Sequence, residues 1–219
     1  MTLGTRLTRW LLANAFLSGL AFLCAGTSKL SMMWAYLEVF AVMGLASALA
    51  ISPELAAERS HPVTKGIDPG VPPLASVLFV ATVAIGAFDG SRLHYSEIPA
   101  ILRFVALAVL ILAGAFQVWV MAVNPFFSTA LRLQNERGHR LINHGPYRFI
   151  RHPGYLAMLL FVLGTALALG STLALVPASI YGAIILARIA REDRFLIRNL
   201  KGYDDYIRRV RFRLVPGLW

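Results

Sequence analysis

The sequence predicts an all-α, polytopic membrane protein with about six transmembrane helices, and three observations lead to this fold class. The chain has 219 residues, of which 58% are hydrophobic and only 15% are charged. Its apolar residues are collected into five long stretches without any charge, and its basic residues are collected into the connections between them. A composition of this kind lies outside the usual range of soluble globular domains.

The uncharged stretches predict the number of spans. A membrane-spanning helix needs about 20 mostly apolar residues, so each of the first four stretches holds one helix, the second by including residues 32–37. The fifth stretch is too long for one helix, and Gly170-Ser171 interrupts it, with Pro177 soon after. These turn residues predict a tight helical hairpin. The predicted helices cover residues 10–28, 32–52, 72–88, 99–123, 154–170 and 172–190.

The distribution of basic residues supports six spans, because cytoplasmic loops of membrane proteins are enriched in Lys and Arg. With six helices, both termini and the second and fourth loops share one side. That side holds 18 of the 21 basic residues, and Lys29, Arg92 and Arg103 are the others. We therefore expect both termini and the active site at the cytoplasmic face, with a bacterial inner membrane as the plausible location. The formal net charge of +10 indicates membrane lipid as a partner and no nucleic acid.

A single membrane domain, residues 1–219, is the simplest organisation, because the chain has no internal repeat and no long polar connection. Residues 1–123 are predicted to form a transmembrane scaffold. Residues 124–219 are predicted to carry a cofactor-binding loop, the hairpin and a cytoplasmic helical extension. The loop of residues 52–73 is rich in Pro and charge, which indicates an irregular connection. It is a candidate cover for a site, and a solvated loop is the simpler alternative.

The most informative segment is HGPYRFIRHPGY, residues 144–155, which places polar residues and turn residues between apolar runs. Gly145-Pro146 predicts a turn. Pro153 disfavours a helical conformation at His152 and suits the first turn of the next span. This polar loop is therefore held against a helix start at the membrane boundary.

Two acidic residues of the second hairpin helix are predicted to lie beside this polar loop. A hairpin brings the end of its second helix beside the start of its first, so Glu192 and Asp193 are expected near His152 and Tyr155. Taken singly, each residue has a structural explanation, such as pairing of Glu192 with Arg188. Together they favour a binding pocket. A metal site is not predicted, because the chain lacks the HxxH, HExxH and paired-Cys patterns.

The order of these features resembles the isoprenylcysteine carboxyl methyltransferase family of integral membrane methyltransferases. The resemblance covers roughly residues 117–219. It is carried by HGPYRFIRHPGY, the uncharged hairpin, Arg188-x-x-x-Glu192-Asp193, and Gly202-Tyr203-x-x-Tyr206 followed by Val210. The wider superfamily includes phospholipid N-methyltransferases and bacterial thiol methyltransferase-like proteins. Where the family usually has two consecutive Glu residues, this chain has Glu192-Asp193.

The resemblance implies S-adenosylmethionine as the methyl donor, bound without a Rossmann domain, and the chain has no GxGxG motif of that fold. Among the residues that the resemblance assigns, Arg151, His152 and Glu192 are the candidates for a part in catalysis. The family's cofactor-binding motif falls on His144, Gly145, Tyr147, Arg151, His152, Pro153, Tyr155 and Glu192, and Gln117 and Trp119 are weaker candidates for the same cavity.

Methyl transfer from a sulfonium needs alignment and exclusion of water more than covalent help from the protein. Glu192 is expected to hold the ammonium or ribose hydroxyls of the donor, and Arg151 to orient a carboxylate of the acceptor or of the donor. A prenylcysteine-like carboxylate needs no general base, because it is already ionised. An amine or thiol acceptor requires deprotonation, with His152 or His144 as the candidate base.

The resemblance thus implies an enzyme that methylates a lipophilic or prenylated acceptor, first of all an isoprenylcysteine-type carboxylate. Phospholipid N-methylation and thiol S-methylation are alternatives. A further alternative is a membrane reductase that uses NADPH, since membrane sterol reductases share a related C-terminal motif. The non-enzymatic alternative is a lipid-binding scaffold. The motif reports on donor binding, and the acceptor stays open.

Overall fold

The computed structural model describes all 219 residues, and every regular element is helical. This confirms the predicted all-α fold class. A π-helical turn at Asp89–Leu93 and 3₁₀ turns at Asn135–Arg137 and Gly145–Arg148 lie between the longer helices. The α-helices are α1 (Leu3–Ala25), α2 (Ser31–Ala50), α3 (Pro53–Ser60), α4 (Val71–Phe88), α5 (Ala100–Val123), α6 (Pro153–Ala168), α7 (Leu175–Asn199) and α8 (Tyr203–Arg209).

Four helices are long and apolar enough to cross a bilayer: α1, α2, α5, and α4 together with its π-helical turn. α6 is apolar but shorter, with 16 residues, and α7 becomes charged over its last third. Large apolar side chains such as Leu12, Leu23 and Leu112 are more than half exposed on these helices. Outward apolar surfaces of this extent suit lipid contact, so the chain is an integral membrane protein.

The first helix begins earlier than predicted, at Leu3 instead of residue 10. Thr2 caps it, because its side-chain oxygen accepts a hydrogen bond from the Thr5 amide at 3.3 Å. Arg6 lies within the first turns and donates to the Ile51 carbonyl at 2.6 Å. The charge of Arg6, near the end of α1, is thereby stabilised by the carbonyl that follows α2.

The second loop is not irregular as predicted, because its first residues form α3. The Ser52 hydroxyl accepts a hydrogen bond from the Leu55 amide at 3.1 Å, and Pro53 occupies the first helical position. Both are ordinary signals for a helix start. The order Ser-Pro-Glu at residues 52–54 therefore contained the information for this short helix.

The helices pack around two main clusters of buried residues. α1, α2, α4, α5 and α6 meet around Leu17, Tyr36 and Leu110, which are at most 3% exposed. α4, α6 and α7 meet around Val162 and Ile185. The hairpin of α6 and α7 is therefore built into the bundle and is not appended to it.

The turn of the hairpin is fixed by a glycine and a buried hydroxyl. Gly170 follows α6 with a left-handed φ of 82°, a conformation that favours glycine. The buried Ser171 hydroxyl donates to the Asp89 carboxylate at 2.6 Å, which ties the hairpin turn to the π-helical turn. From here α7 runs without interruption to Asn199, so it carries residues from the bundle out to the loop before α6.

Candidate active site

A cavity of about 430 Å³ lies between the loop of residues 124–152 and helices α4, α6, α7 and α8. This volume falls within the range of small-molecule sites, about 300–1,000 Å³. Both the helices and the loop supply apolar and polar side chains to its wall. Five residues of the predicted site line it, namely Tyr147, Arg151, His152, Tyr155 and Glu192.

The remaining predicted site residues do not line this cavity. His144 is exposed, Gly145 turns the chain with a φ of 58°, and Pro153 begins α6. Their positions support a role in shaping the loop more than direct contact with a ligand in the cavity. Gln117 lies in the wall of a different, apolar cavity. Trp119 is 47% exposed and lines neither of the two cavities.

Asp193 is the centre of a buried hydrogen-bond network, and its side chain is only 4% exposed. Its Oδ1 lies 2.8 Å from Nε2 of His152 and accepts a hydrogen bond from the Tyr203 hydroxyl at 2.7 Å. Its Oδ2 accepts from Arg151 at 3.0 Å and from Arg213 at 2.6 Å. One carboxylate of α7 thus joins the loop before α6, α8 and the C-terminal segment.

The groups around Asp193 keep it ionised. Burial alone would raise its pKa, but the hydrogen bond and charge of His152 and the hydrogen bonds from Arg213 and Tyr203 hold that pKa well below its usual range. Burial, and then the same carboxylate, raise the pKa of the Tyr203 hydroxyl. Tyr203 therefore stays a neutral hydrogen-bond donor to an anionic Asp193.

The C-terminal segment fixes the same loop through the main chain. The amides of Arg151 and His152 donate to the carbonyls of Phe212 and Arg213 at 3.0 and 2.9 Å. The guanidinium of Arg151 also donates, through Nη1, to the carbonyl of Val210 at 3.2 Å. Since its Nη2 is bound to Asp193, the predicted acceptor-orienting residue Arg151 is engaged by the protein at both ends of its guanidinium group.

Glu192, the chain neighbour of Asp193, faces the cavity. Successive residues of an α-helix point about 100° apart, so the two acids have different surroundings. The Tyr155 hydroxyl donates to Oε2 of Glu192 at 2.6 Å, and both residues line the cavity. The structure confirms the predicted proximity of the two acids to His152 and Tyr155. It also separates them, since Asp193 holds the loop and Glu192 is presented to the cavity.

Arg188 is paired with the second loop and not with Glu192. Its Nε lies 3.2 Å from Oδ2 of Asp68, and its Nη2 donates to the Thr129 carbonyl at 2.7 Å. The side chains of Arg188 and Asp68 are 7% and 4% exposed. No basic group lies within 4 Å of the Glu192 carboxylate, so the alternative in which Glu192 only pairs with Arg188 is wrong.

Aromatic side chains form the loop side of the cavity. The Tyr147 hydroxyl accepts a hydrogen bond from Asn124 at 2.8 Å, and the Tyr206 hydroxyl donates to the Tyr147 carbonyl at 2.7 Å. His139 stacks on Phe126 with ring centroids 4.5 Å apart. Burial, together with nearby arginines, lowers the pKa of His139 to about 4. Its ring is therefore neutral at physiological pH and gives the cavity an uncharged aromatic face.

The second loop contributes to the site through α3. Glu58 accepts two hydrogen bonds from Arg132, at 3.0 and 2.7 Å, and both side chains are buried. Arg59 lines the cavity and donates to the Phe127 carbonyl at 3.2 Å. Phe127 in turn packs where Gly154 has no β-carbon, since one would collide with its ring. The loop thus packs onto the site, and residues of the predicted N-terminal scaffold contribute to the cavity wall.

A second cavity of about 330 Å³ lies inside the helix bundle beside the first, between α2, α4, α5, α6 and α7. Its wall is mostly apolar. The two cavities share Arg59, Phe79, Met158 and Tyr181 in their walls. The side-chain oxygen of Gln117 is buried here without a hydrogen-bond partner. Most of the wall of the first cavity is apolar as well, but Arg151, Arg188 and Glu192 add charged groups to it. We therefore call it the polar cavity and the second one the apolar cavity, and the two adjoin at the four shared residues.

Comparison with known proteins identifies relatives of similar sequence. The chain is 30% identical over 93 residues to a protein of Oryza sativa subsp. indica described as a probable protein-S-isoprenylcysteine O-methyltransferase, which is 42% of this chain and 49% of the relative. It is 27% identical over 93 residues to protein-S-isoprenylcysteine O-methyltransferase B of Arabidopsis thaliana, which is 42% and 47% of the two chains.

A third relative bears a different name. The chain is 32% identical over 104 residues, 47% of this chain and 48% of the relative, to the nickel-cobalt-cadmium resistance protein NccN of Alcaligenes xylosoxydans xylosoxydans. The chain spans about half the length of these curated relatives. The sequence profile described as the isoprenylcysteine carboxyl methyltransferase (ICMT) family matches residues 105–198, which include the loop, the hairpin and both acids. The part of this chain that carries the cavity loop, the hairpin and both acids is therefore similar to the isoprenylcysteine carboxyl methyltransferase family.

Proposed function

We propose that this chain is an integral membrane methyltransferase that uses S-adenosylmethionine to methylate a lipophilic acceptor, an isoprenylcysteine-type carboxylate. The observation that carries the proposal is the junction of a polar cavity, suited to a charged donor, with an apolar cavity inside the bundle. The family match at residues 105–198 and the names of the rice and Arabidopsis relatives support the same reaction. The name of the NccN relative specifies no methyl acceptor.

The residues of the polar cavity fit the chemical groups of S-adenosylmethionine. Glu192, with one carboxylate oxygen held by Tyr155, offers an acceptor for the donor's ammonium or ribose hydroxyls. The stacked rings of Phe126 and His139 offer an aromatic surface to a purine. When bound, the donor supplies an electrophilic methyl group for in-line displacement by the acceptor.

The protein's part in such a reaction is to bind, align and exclude water. The contacts of Asp193 with His152 and Arg151 hold the loop rigidly on α7. The pair of Glu58 and Arg132 holds α3 against the loop from the other side. The walls of the cavity are thereby fixed before any ligand binds, which is what alignment of a donor and a nucleophile requires.

The histidines of the site bear on whether an acceptor could be deprotonated there. His144 is exposed, His152 has its Nε2 2.8 Å from Asp193, and His139, with a pKa of about 4, is a weak base. An amine or thiol acceptor would need a base to remove its proton, whereas a carboxylate is ionised at neutral pH. O-methylation is preferred over phospholipid N-methylation and thiol S-methylation because of the names of the rice and Arabidopsis relatives, since the pair of His152 and Asp193 also suits a general base.

The proposal places the polar cavity at the cytoplasmic face of the membrane, with both termini on that side. The basic residues of the second loop, of the fourth loop and of the C-terminal segment support this orientation. A donor from the cytoplasm would then reach the polar cavity directly, and a lipophilic acceptor would reach the apolar cavity from the bilayer. A bacterial inner membrane remains the predicted location.

Transfer of a radiolabelled methyl group from S-adenosylmethionine by the purified protein tests the proposal. The acceptors are N-acetyl-S-farnesylcysteine, phosphatidylethanolamine and a long-chain alkyl thiol. We expect label in the farnesylcysteine product alone, released as methanol by mild base because only an ester hydrolyses there, and loss of transfer in Glu192→Gln. Base-stable label in the other two acceptors would contradict carboxyl methylation, and no label in any acceptor would contradict the proposed activity.

A further inference from the structure

The arginines in the wall of the polar cavity differ in whether a carboxylate neutralises them. Three of the five, Arg132, Arg151 and Arg188, lie within 2.5–3.2 Å of a carboxylate oxygen. Arg140 is exposed to solvent. Arg59 is the remaining one, neither exposed nor within 4 Å of any carboxylate. The cavity thus contains one inward cation whose charge the protein itself does not balance.

Arg59 is positioned at the junction of the two cavities and lines both. Its Nη1 donates to the Phe127 carbonyl at 3.2 Å, and its guanidinium carbon lies 5.2 Å from the centre of the Phe127 ring. These contacts orient the group without neutralising it. Burial lowers the pKa of Arg59 from its ordinary value, and no acid offsets that effect. A half-buried cation of this kind is costly without a counter-charge, and an anion on a ligand would supply one.

The apolar cavity extends from this cation into the bundle. Phe40, Met43 and Phe161 are among the apolar side chains of its wall. The buried oxygen of Gln117 is an unpaired hydrogen-bond acceptor in the same wall. A ligand that matches these features has a long apolar chain, an anionic group at one end, and a hydrogen-bond donor such as an amide N–H.

We propose that Arg59 is a specificity-determining residue that holds the anionic group of a lipophilic acceptor whose apolar chain occupies the second cavity. This inference rests on the proposed function and names the residue that selects the acceptor. Arg59 belongs to α3 and lies outside the family match at residues 105–198. It takes the role that the sequence predicted for Arg151, whose guanidinium donates to Asp193 and Val210.

Two ligands that differ only in charge test the role of Arg59. N-acetyl-S-farnesylcysteine and its primary amide share the apolar chain and the acetamide N–H, but only the acid is anionic at neutral pH. Calorimetric titration of the purified protein should show the acid binding at least about tenfold more tightly than the amide, or about 1.4 kcal/mol. Arg59→Gln should remove this preference, because it weakens the binding of the acid and leaves the binding of the amide unchanged. Arg59→Lys should retain part of the preference.

Arg9→Gln is the matched control, because Arg9 is an exposed arginine whose contact is His61. It should leave both affinities unchanged, and thermal unfolding should show that every variant is folded. Phosphatidylglycerol, added to the detergent micelles that contain the purified protein, should not displace N-acetyl-S-farnesylcysteine. Displacement that depends on Arg59 would identify a lipid headgroup as the occupant and overturn the assignment to an acceptor. Equal binding of acid and amide by the wild type, or an unchanged preference in Arg59→Gln, would overturn it as well.

Failure of this inference and failure of the proposed function are distinguishable, because donor binding is measured separately. If S-adenosylmethionine binds the wild type and Arg59→Gln equally and no acid preference exists, the acceptor role of Arg59 is wrong and the methyltransferase proposal stands. If the preference for the acid over the amide depends on Arg59 but S-adenosylmethionine does not bind, Arg59 is an anion-binding residue and the proposed methyltransferase activity is wrong.

Discussion

At the scale of single residues, two neighbouring acids of α7 have different surroundings. The carboxylate of Asp193 is fully used by four donors from the protein, whereas Glu192 has one oxygen bound to Tyr155 and faces the cavity. The sequence predicted that both acids reach this place, because closure of the hairpin requires it. It could not predict which acid faces a ligand, since that depends on the rotation of α7, which the packing of Ile185 and Ile189 determines.

Removing the Tyr155 hydroxyl should weaken donor binding by roughly tenfold. Tyr155→Phe deletes a 2.6 Å hydrogen bond to Glu192, and hydrogen bonds to charged groups contribute about 1.5–3 kcal/mol. The measurement is the Kd for S-adenosylmethionine by calorimetry. Tyr95→Phe is the control, because Tyr95 is 70% exposed and away from the cavity. Equal affinity in Tyr155→Phe and the control would argue against this pair as part of the donor site.

Asp193 should make the stability of the protein depend on pH in the acid range. Its folded pKa lies below its usual value, so the stabilisation is present above the unfolded pKa of about 3.9 and is lost as pH falls below it. Asp193→Asn leaves Arg151 buried without its anion and should cost about 3–5 kcal/mol at neutral pH. Thermal unfolding in detergent should show that the difference in stability between the wild type and Asp193→Asn becomes smaller below about pH 4. A difference in stability that stays constant over that pH range would contradict the assignment of a negative charge to Asp193.

At the scale of helices, apolar length and turn residues predicted the six main elements, because hydrocarbon thickness and Gly or Pro turns act locally. The π-helical turn was not predictable, since it depends on contacts of Asp89 with Ser96 and with Ser171, 82 residues away. For a similar reason, the sequence did not predict Arg59 and His139 as residues of the site. Single loop residues carry no periodic or motif signal, and only the packing of α3 and the fourth loop brings them to the cavity.

Loss of the contact between α3 and the fourth loop should loosen the cover of the site. Glu58→Gln removes one of the two carboxylates that pair with the buried Arg132, Glu136 being the other, and should lower the free energy of unfolding by about 1.5–3 kcal/mol. Limited proteolysis should then cut residues 61–70 faster than in the wild type. Glu54→Gln, an exposed acid of the same helix, should change neither property. Identical digestion of Glu58→Gln and wild type would show that the pair does not hold α3 in place.

At the scale of the whole molecule, the polar cavity and the most basic connections lie at the same end of the bundle. The polar cavity is built from the basic loops and from the C-terminal segment, and the hairpin turn and π-helical turn lie at the opposite end of the bundle. The proposed topology therefore puts donor site and termini together on the cytoplasmic side. The sequence predicted this side from Lys and Arg counts alone, because the positive-inside preference acts on loops irrespective of how they fold.

Cysteine labelling in intact cells should report this orientation. In a Cys24→Ala background, Lys29→Cys lies in the loop between α1 and α2 and should react with a membrane-impermeant maleimide added outside. Lys201→Cys, between α7 and α8, should react only after the membrane is permeabilised. Both lysines are exposed, so differences in reaction report the side of the membrane. Labelling of Lys201→Cys in intact cells would reverse the proposed topology.

The most direct test of the central claim is calorimetric titration of the purified protein with three ligands. We expect S-adenosylmethionine and S-adenosylhomocysteine to bind and NADPH not to bind. We expect Glu192→Gln to weaken the binding of both ligands at least about tenfold, because the carboxylate that faces the cavity is lost. Binding of NADPH alone, or donor affinity unchanged in Glu192→Gln, would contradict the assignment of this cavity as a methyl-donor site.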